Sequence, residues 1–297
     1  MVANQKVTIA GVPALIRPPQ YNTEGAPVIV LWHGYGPPDS EQTLAELLPL
    51  DDVFAWKVYP ALPMFGDRLP EGGADEIMQR QMSDYVLDLL LPTAEQAVAE
   101  LPQVVAEVER QYGADASGGI GLFGFSAGAA TVIHALLDGA VEARAAVLAG
   151  APPSLDIAVS NFEQGSQLHV DYLRENYTWF KDEMLTYSWS DASEAARSRF
   201  DLGGRAGELT ADSLPPAVLL AHGEQDEMYP VAEIRALGDK LCAAYERNGI
   251  TERIGVQTFP HIAHHLDPTT AVETGTESEL SELRKAVAAW YQRYLLR

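Results

Sequence analysis

A single cysteine in 297 residues, Cys242, excludes a disulfide within the chain. It falls inside the amphipathic run from Val231 to Arg247, where a buried helix thiol is expected. No window approaches the roughly 18 uninterrupted apolar residues of a membrane-spanning helix, and the opening MVANQKV lacks the basic patch and apolar stretch of a secretory leader. The expectation is a cytoplasmic protein with no membrane partner. Cations are scarce, with 20 Lys and Arg against 42 Asp and Glu and a formal charge of −22. That balance repels nucleic acid, so no nucleic-acid partner is expected. The acidity is spread along the chain and reads as a solvated surface, from which no substrate follows. Repeats, low-complexity tracts and a Pro/Gly-rich linker are also missing, which points to one domain over 1–297. What is plentiful is apolar content, 47% of residues, enough for a large core.

Apolar runs suited to buried strands lie at 27–32, 53–59, 120–125, 145–149, 217–221 and 254–259. Helical spacing separates most of them. Ala94, Ala97, Val98, Leu101, Val104, Val105, Val108 and Tyr112 form one stripe, which Thr93 and Gln96 are expected to open as a capping box and Pro102 to kink or divide. Leu280, Leu283, Val287, Trp290 and Tyr294 form another, with Thr276 and Glu279 as its expected box. Alternating strands and helices predict an α/β fold with a mostly parallel central sheet flanked by helices, its chemistry beyond the carboxyl ends of the strands. Residues 152–216 break the alternation and read as an inserted helical cap. Their aromatics either pack the insertion down or line a pocket, and Trp179, Phe180 and Trp189 are the candidate substrate contacts.

Gly124-Phe125-Ser126-Ala127-Gly128 fits G-x-S-x-G between an apolar strand and an apolar helix. Glycines on both sides permit a sharp bend that pushes the serine out of the sheet edge, and the following helix aims its positive end at the reaction centre. The bland alternative is a serine that merely caps the helix. Gly119 to Gly124 also spell G-x-G-x-x-G, but these glycines precede or interrupt the strand, whereas a dinucleotide turn follows it.

A serine hydroxyl needs an imidazole to take its proton and a carboxylate to orient that imidazole. Behind the strand at 217–221 comes His222-Gly223-Glu224-Gln225-Asp226-Glu227, where Asp226 is the best acid, with Glu224 and Glu227 as alternatives. Behind 254–259, His261, His264 and His265 share one loop. His264 is favoured as base and His265 stays open. The same histidines with Asp267 could instead be imagined around zinc, but that reading leaves Ser126 unexplained. The oxyanion requires N–H donors, for which Ala127 and Tyr35 of His33-Gly34-Tyr35-Gly36 are the candidates.

Taken together, HGYG at 33–36, GFSAG at 124–128, HGEQD at 222–226 and FPHIAHH at 259–265 resemble the α/β-hydrolase superfamily. The likeness is strongest to its dienelactone-hydrolase-like and prolyl-oligopeptidase-like esterases and covers about 27–297 outside the cap. It implies a Ser126, Asp226, His264 triad with the Tyr35 and Ala127 amides as oxyanion hole. No metal or organic cofactor would be needed, and the implied substrate is a small-molecule carboxylic ester cleaved through an acyl-enzyme. A peptidase, thioesterase or acyltransferase would use the same groups, and a non-catalytic binding protein could keep the fold. The chain departs from that branch at His261, where glycine is common, and in the adjacent His265.

Overall fold

The computed structural model describes residues 4–21, 23–211, 214–267 and 275–296. Residues 1–3 of the opening MVANQKV and 212–213 of the expected insertion lie outside this set. Eight strands form one sheet: β1 (Gln5–Ile9), β2 (Val12–Arg17), β3 (Val28–Trp32), β4 (Trp56–Pro60), β5 (Ile120–Phe125), β6 (Ala143–Ala149), β7 (Ala217–Gly223) and β8 (Ile254–Phe259). Their order is β1-β2-β4-β3-β5-β6-β7-β8, antiparallel through β1, β2 and β4 and parallel from β4 onward. The fold is therefore the mostly parallel α/β class expected.

Strand residues are apolar on both faces because helices cover both faces. Val28, Val30 and Trp32 point into one layer, with α3 (Leu91–Tyr112), α4 (Ala127–Asp138) and α9 (Val231–Glu246). Ile29 and Leu31 point into the other, with α1 (Glu41–Leu47) and α10 (Glu277–Tyr294). Each such side chain taken fully from water contributes about 1.5–3 kcal/mol, so the two layers hold the sheet from either side. The stripes foreseen on α3 and α10 face these layers, with Leu101, Val108, Leu283 and Val287 buried.

Three local expectations are corrected. Helical structure begins not at Thr93 but after Asp84, whose carboxylate accepts the Val86 and Leu87 N–H groups at 3.1 and 2.8 Å. A π-helical turn over Tyr85–Leu90 runs straight into α3, and Thr93, now interior, donates its hydroxyl to the Leu89 carbonyl. Pro102 does not divide α3, which continues to Tyr112. At α10 the Glu279 carboxylate does not close a capping box, because it takes the backbone N–H and ring nitrogen of His261.

Between β6 and β7 the described residues carry α5 (Leu155–Leu168), α6 (Val170–Asn176), α7 (Asp191–Arg199) and the short α8 (Ala206–Leu209), and no strand. Trp179 and Phe180 join Phe162, Leu173 and Met82 in a small cluster that seats this segment on α2 (Gly73–Ser83). Trp189 packs against the larger core, edge-on to Tyr187 and 3.8 Å beneath the Arg197 guanidinium.

Candidate active site

Ser126 sits between β5 and α4 with φ 52° and ψ −113°, a left-handed conformation that costs a side-chain-bearing residue about 1–3 kcal/mol. The bend closes only because its flanks lack side chains: a Cβ on Gly124 would meet the Gly128 carbonyl oxygen at 2.1 Å. Strand β5 pairs on both sides, with β3 and β6, and the Ser126 N–H continues the ladder to the Ala149 carbonyl at 3.0 Å. A rigid interior thus holds the serine in its strained pose.

His264 and Asp226 arrive from the loops after β8 and β7. Those loops are stitched together by Glu224 N–H to the Phe259 carbonyl at 2.8 Å and Gln225 N–H to the Ile262 carbonyl at 3.0 Å. His264 Nε2 lies 3.0 Å from Ser126 Oγ, and its Nδ1 lies 2.8 Å from Asp226 Oδ2. Because a carboxylate only accepts, the Nδ1 proton points to Asp226 and the Nε2 lone pair faces the serine proton. Burial works to raise the Asp226 pKa, but the hydrogen bond and charge of His264 and the Tyr229 N–H outweigh it and hold the carboxyl below the usual range. The carboxylate therefore stays ionised beside the imidazole.

The alternatives separate clearly. His265 is exposed, edge-on to His264 at 5.6 Å, and its Nε2 lies 2.7 Å from where a Cβ on Gly36 would be. Glu224 is taken by Arg235 at 2.6 Å and Thr258 at 2.7 Å, and Glu227 is exposed. With His261 turned to Glu279 and both His264 nitrogens engaged, the loop histidines do not converge, and no metal-like cluster occurs among the described residues.

Ala127 opens α4, so its N–H has no acceptor within the helix. The loop bearing Tyr35 passes beside it: a Cβ on Gly34 would be 3.1 Å from the Ser126 Cβ. His33 anchors that loop. Its Nε2 accepts the Leu62 N–H at 3.1 Å, so its Nδ1 carries the proton and donates to the Gly34 carbonyl at 2.8 Å. Burial depresses the His33 pKa to about 4, against a weaker upward pull from Gly34. Below pH 6.5 the unfolded chain takes up a proton here that the folded chain refuses, so stability falls with pH until about 4, by about 3 kcal/mol. Urea unfolding of His33→Asn should show a shallower loss between pH 7 and 4.5 than the parent chain; parallel curves would contradict this account.

Two groups beside Ser126, His264 and Asp226 had no role in the sequence reading. His222, buried, donates Nε2–H to the Tyr229 carbonyl at 2.8 Å and stands 3.6 Å from Asp226 Oδ2. Its pKa is lowered by burial, against the pull of Asp226. Tyr229, 3% exposed, gives its N–H to Asp226 Oδ1 at 2.8 Å. The available signal was spacing, since an aspartate that accepts the N–H groups two and three residues on draws the third residue beside itself.

No protein-family model and no curated protein matches the chain. Solved structures do. TT1662 from Thermus thermophilus superposes with a TM-score of 0.61 at 18% identity over 94% of this chain and 98% of its own. A provisionally assigned dienelactone hydrolase from Klebsiella pneumoniae subsp. pneumoniae gives 0.59 at 15% identity over 99% of each. Pyrococcus horikoshii acylaminoacyl peptidase also gives 0.59 at 15% identity, over 99% of this chain but 42% of the longer peptidase. Strand order, a strained serine after the central β5 and these superpositions agree, and the chain has the α/β-hydrolase fold.

Proposed function

We propose that this protein is a serine hydrolase that cleaves carboxylic esters of small molecules, with Ser126 as nucleophile, His264 as base and Asp226 as the acid that orients it. The observation that carries the proposal is the unbroken line of hydrogen bonds from Ser126 Oγ through both His264 nitrogens to Asp226 Oδ2. His264 removes the Ser126 proton as Oγ attacks the ester carbonyl, and the oxyanion faces the Ala127 and Tyr35 amides. The imidazolium then passes its proton to the departing alcohol. Water, activated by the same His264, releases the acid and restores Ser126.

Substrate access is proposed along the seam between α2 and the segment 152–216, taken as the cap of a single domain. A cleft of about 160 Å³ there is bounded by Met82, Tyr85, Phe162, Met184 and Tyr187. It is small beside the roughly 300–1,000 Å³ of drug-sized sites, which favours a short acyl or alkyl group. Trp179 borders an outer groove with Arg80 and Asp88. Phe180 packs against the Met82, Phe162 and Leu173 cluster and Trp189 against the larger core, so both are proposed in a supporting role.

A fluorophosphonate probe should label the folded protein once, on the peptide bearing Ser126, and should abolish hydrolysis of p-nitrophenyl esters. Absence of labelling in a folded sample would overturn the proposal and favour a binding protein built on the same fold.

A further inference from the structure

His222 is the penultimate residue of β7, and its side chain is wholly buried, as is that of Asp226 beside it at 1% exposure. A carbonyl only accepts, so the bond of His222 Nε2 to the Tyr229 carbonyl at 2.8 Å places the ring proton on Nε2. The other nitrogen, Nδ1, is buried with no hydrogen-bond partner among the described residues. Burial lowers the pKa of the ring, so Nδ1 stays bare at neutral pH. Leaving a buried polar atom unpaired is costly. A leucine of similar volume would carry no such cost, so the imidazole is explained by what its single donor does.

That donor closes a corner of the chain. Tyr229 lies between β7 and α9, outside both, and its main chain is fixed by the His222 bond to its carbonyl and by its own N–H to Asp226 Oδ1 at 2.8 Å. Asp226 Oδ1 also accepts the Met228 N–H at 2.9 Å. With Oδ1 taken by two main-chain donors the carboxylate is held against rotation, and Oδ2 is left facing His264 Nδ1 at 2.8 Å. His222 Nε2 stands 3.6 Å from Oδ2, beyond hydrogen-bond reach, so it does not compete with His264 for that oxygen. Where no solvent reaches, a Tyr229 carbonyl deprived of its donor must turn toward another, and the N–H groups that hold Oδ1 move with it. We propose that His222 is a positioning residue for ester hydrolysis: its Nε2–H holds the 226–229 corner shut through the Tyr229 carbonyl, and the corner holds Asp226 at the angle that aims His264 at Ser126.

This assignment rests on the serine-hydrolase proposal and concerns geometry alone, so no proton passes through His222. His222→Leu should lower kcat on a p-nitrophenyl ester about 30- to 100-fold, the range expected when a catalytic group is displaced by about 1 Å, with KM changed less than about twofold. His222→Gln sets an amide N–H where Nε2–H stood and should recover kcat to within about fivefold of the parent. The decisive comparison is in the Asp226→Asn background. There the orientation of His264 is already impaired, so adding His222→Leu should cost less than about threefold more. A merely structural role would lower kcat by the same factor in both backgrounds. Equal factors, or a His222→Gln enzyme as slow as His222→Leu, in variants that still label with fluorophosphonate at Ser126, would overturn the assignment of His222 and leave the hydrolase proposal standing. If His222→Leu does not fold, His222→Asn, whose shorter amide stops at the Nδ1 position, takes its place with the same expected losses. Failure of the parent chain to label would sink the hydrolase proposal itself.

Discussion

Ser126→Ala, His264→Gln and the double variant are all expected to lose nearly all kcat on an ester substrate, by about 10⁴- to 10⁶-fold, with the double variant no worse than either single one. On the proposed mechanism the two side chains act as one unit. Without Oγ there is nothing for the imidazole to activate, and without Nε2 at 3.0 Å the hydroxyl keeps its proton. On the same proposal the residual rate comes from the proposed oxyanion donors and from binding, which neither change removes. His265→Gln is the internal control. Its ring is exposed and turned toward the Gly36 loop, so kcat should change by less than about fivefold, an amount typical of a group outside the unit. Steady-state kinetics on the four variants, with circular dichroism to confirm folding, decides the matter. Losses that multiply in the double variant would mean that the serine and imidazole do not share one step.

Gly128→Ala is expected to be a strongly damaging single methyl addition near the site. Its Cβ would lie 2.4 Å from the Trp32 carbonyl oxygen and 2.6 Å from that of His33. Both are main-chain oxygens, at the last residue of central β3 and the one after it, and cannot turn aside as a side-chain tip could. Here α4 must press directly on the chain leading to Tyr35, and separating them would also spread the proposed oxyanion donors. Overpacking against backbone of this kind costs about 3 kcal/mol or more, or a fall in Tm of roughly 6–12 °C for a chain of this size. Gly139→Ala makes the comparison informative. Gly139 has φ 65° and open space around its would-be Cβ, so only left-handed strain of about 1–2 kcal/mol applies. Calorimetry of the two variants should rank Gly128→Ala well below Gly139→Ala, and equal Tm values would refute the close-contact explanation.

Much of the sheet was legible because parallel strands buried on both faces are simply apolar, as at Val28–Trp32 and Ala217–Ala221. The antiparallel edge escaped notice for the opposite reason. Strand β1 is half exposed and mixes Gln5, Lys6 and Thr8 with its apolar residues. Its tight turn uses Ala10 at φ 49° before Gly11 at φ 84°, and alanine is not a residue that announces such a turn. The helix starts were misjudged where a side chain had two possible partners. Thr93 could cap or lie inside a helix, and Glu279 could close a box or reach His261; the choice depended on Asp84 and on the β8 loop. The place of Tyr229 beside His264 was not legible because nothing in its neighbours along the chain says which way its ring turns.

The chain's own order of residues was enough to determine that a serine stands at a sharp strand-to-helix bend, that an aspartate and a histidine follow later strands, and that the fold is α/β. Those are local facts, written in glycines, apolar runs and spacing. Tertiary structure alone decided which histidine meets the serine and which carboxylate meets that histidine. Ser126 and His264 are 138 residues apart in the chain and 3.0 Å apart in space, and only the sheet order β5-β6-β7-β8, with its loops reaching over the shared carboxyl edge, sets that distance.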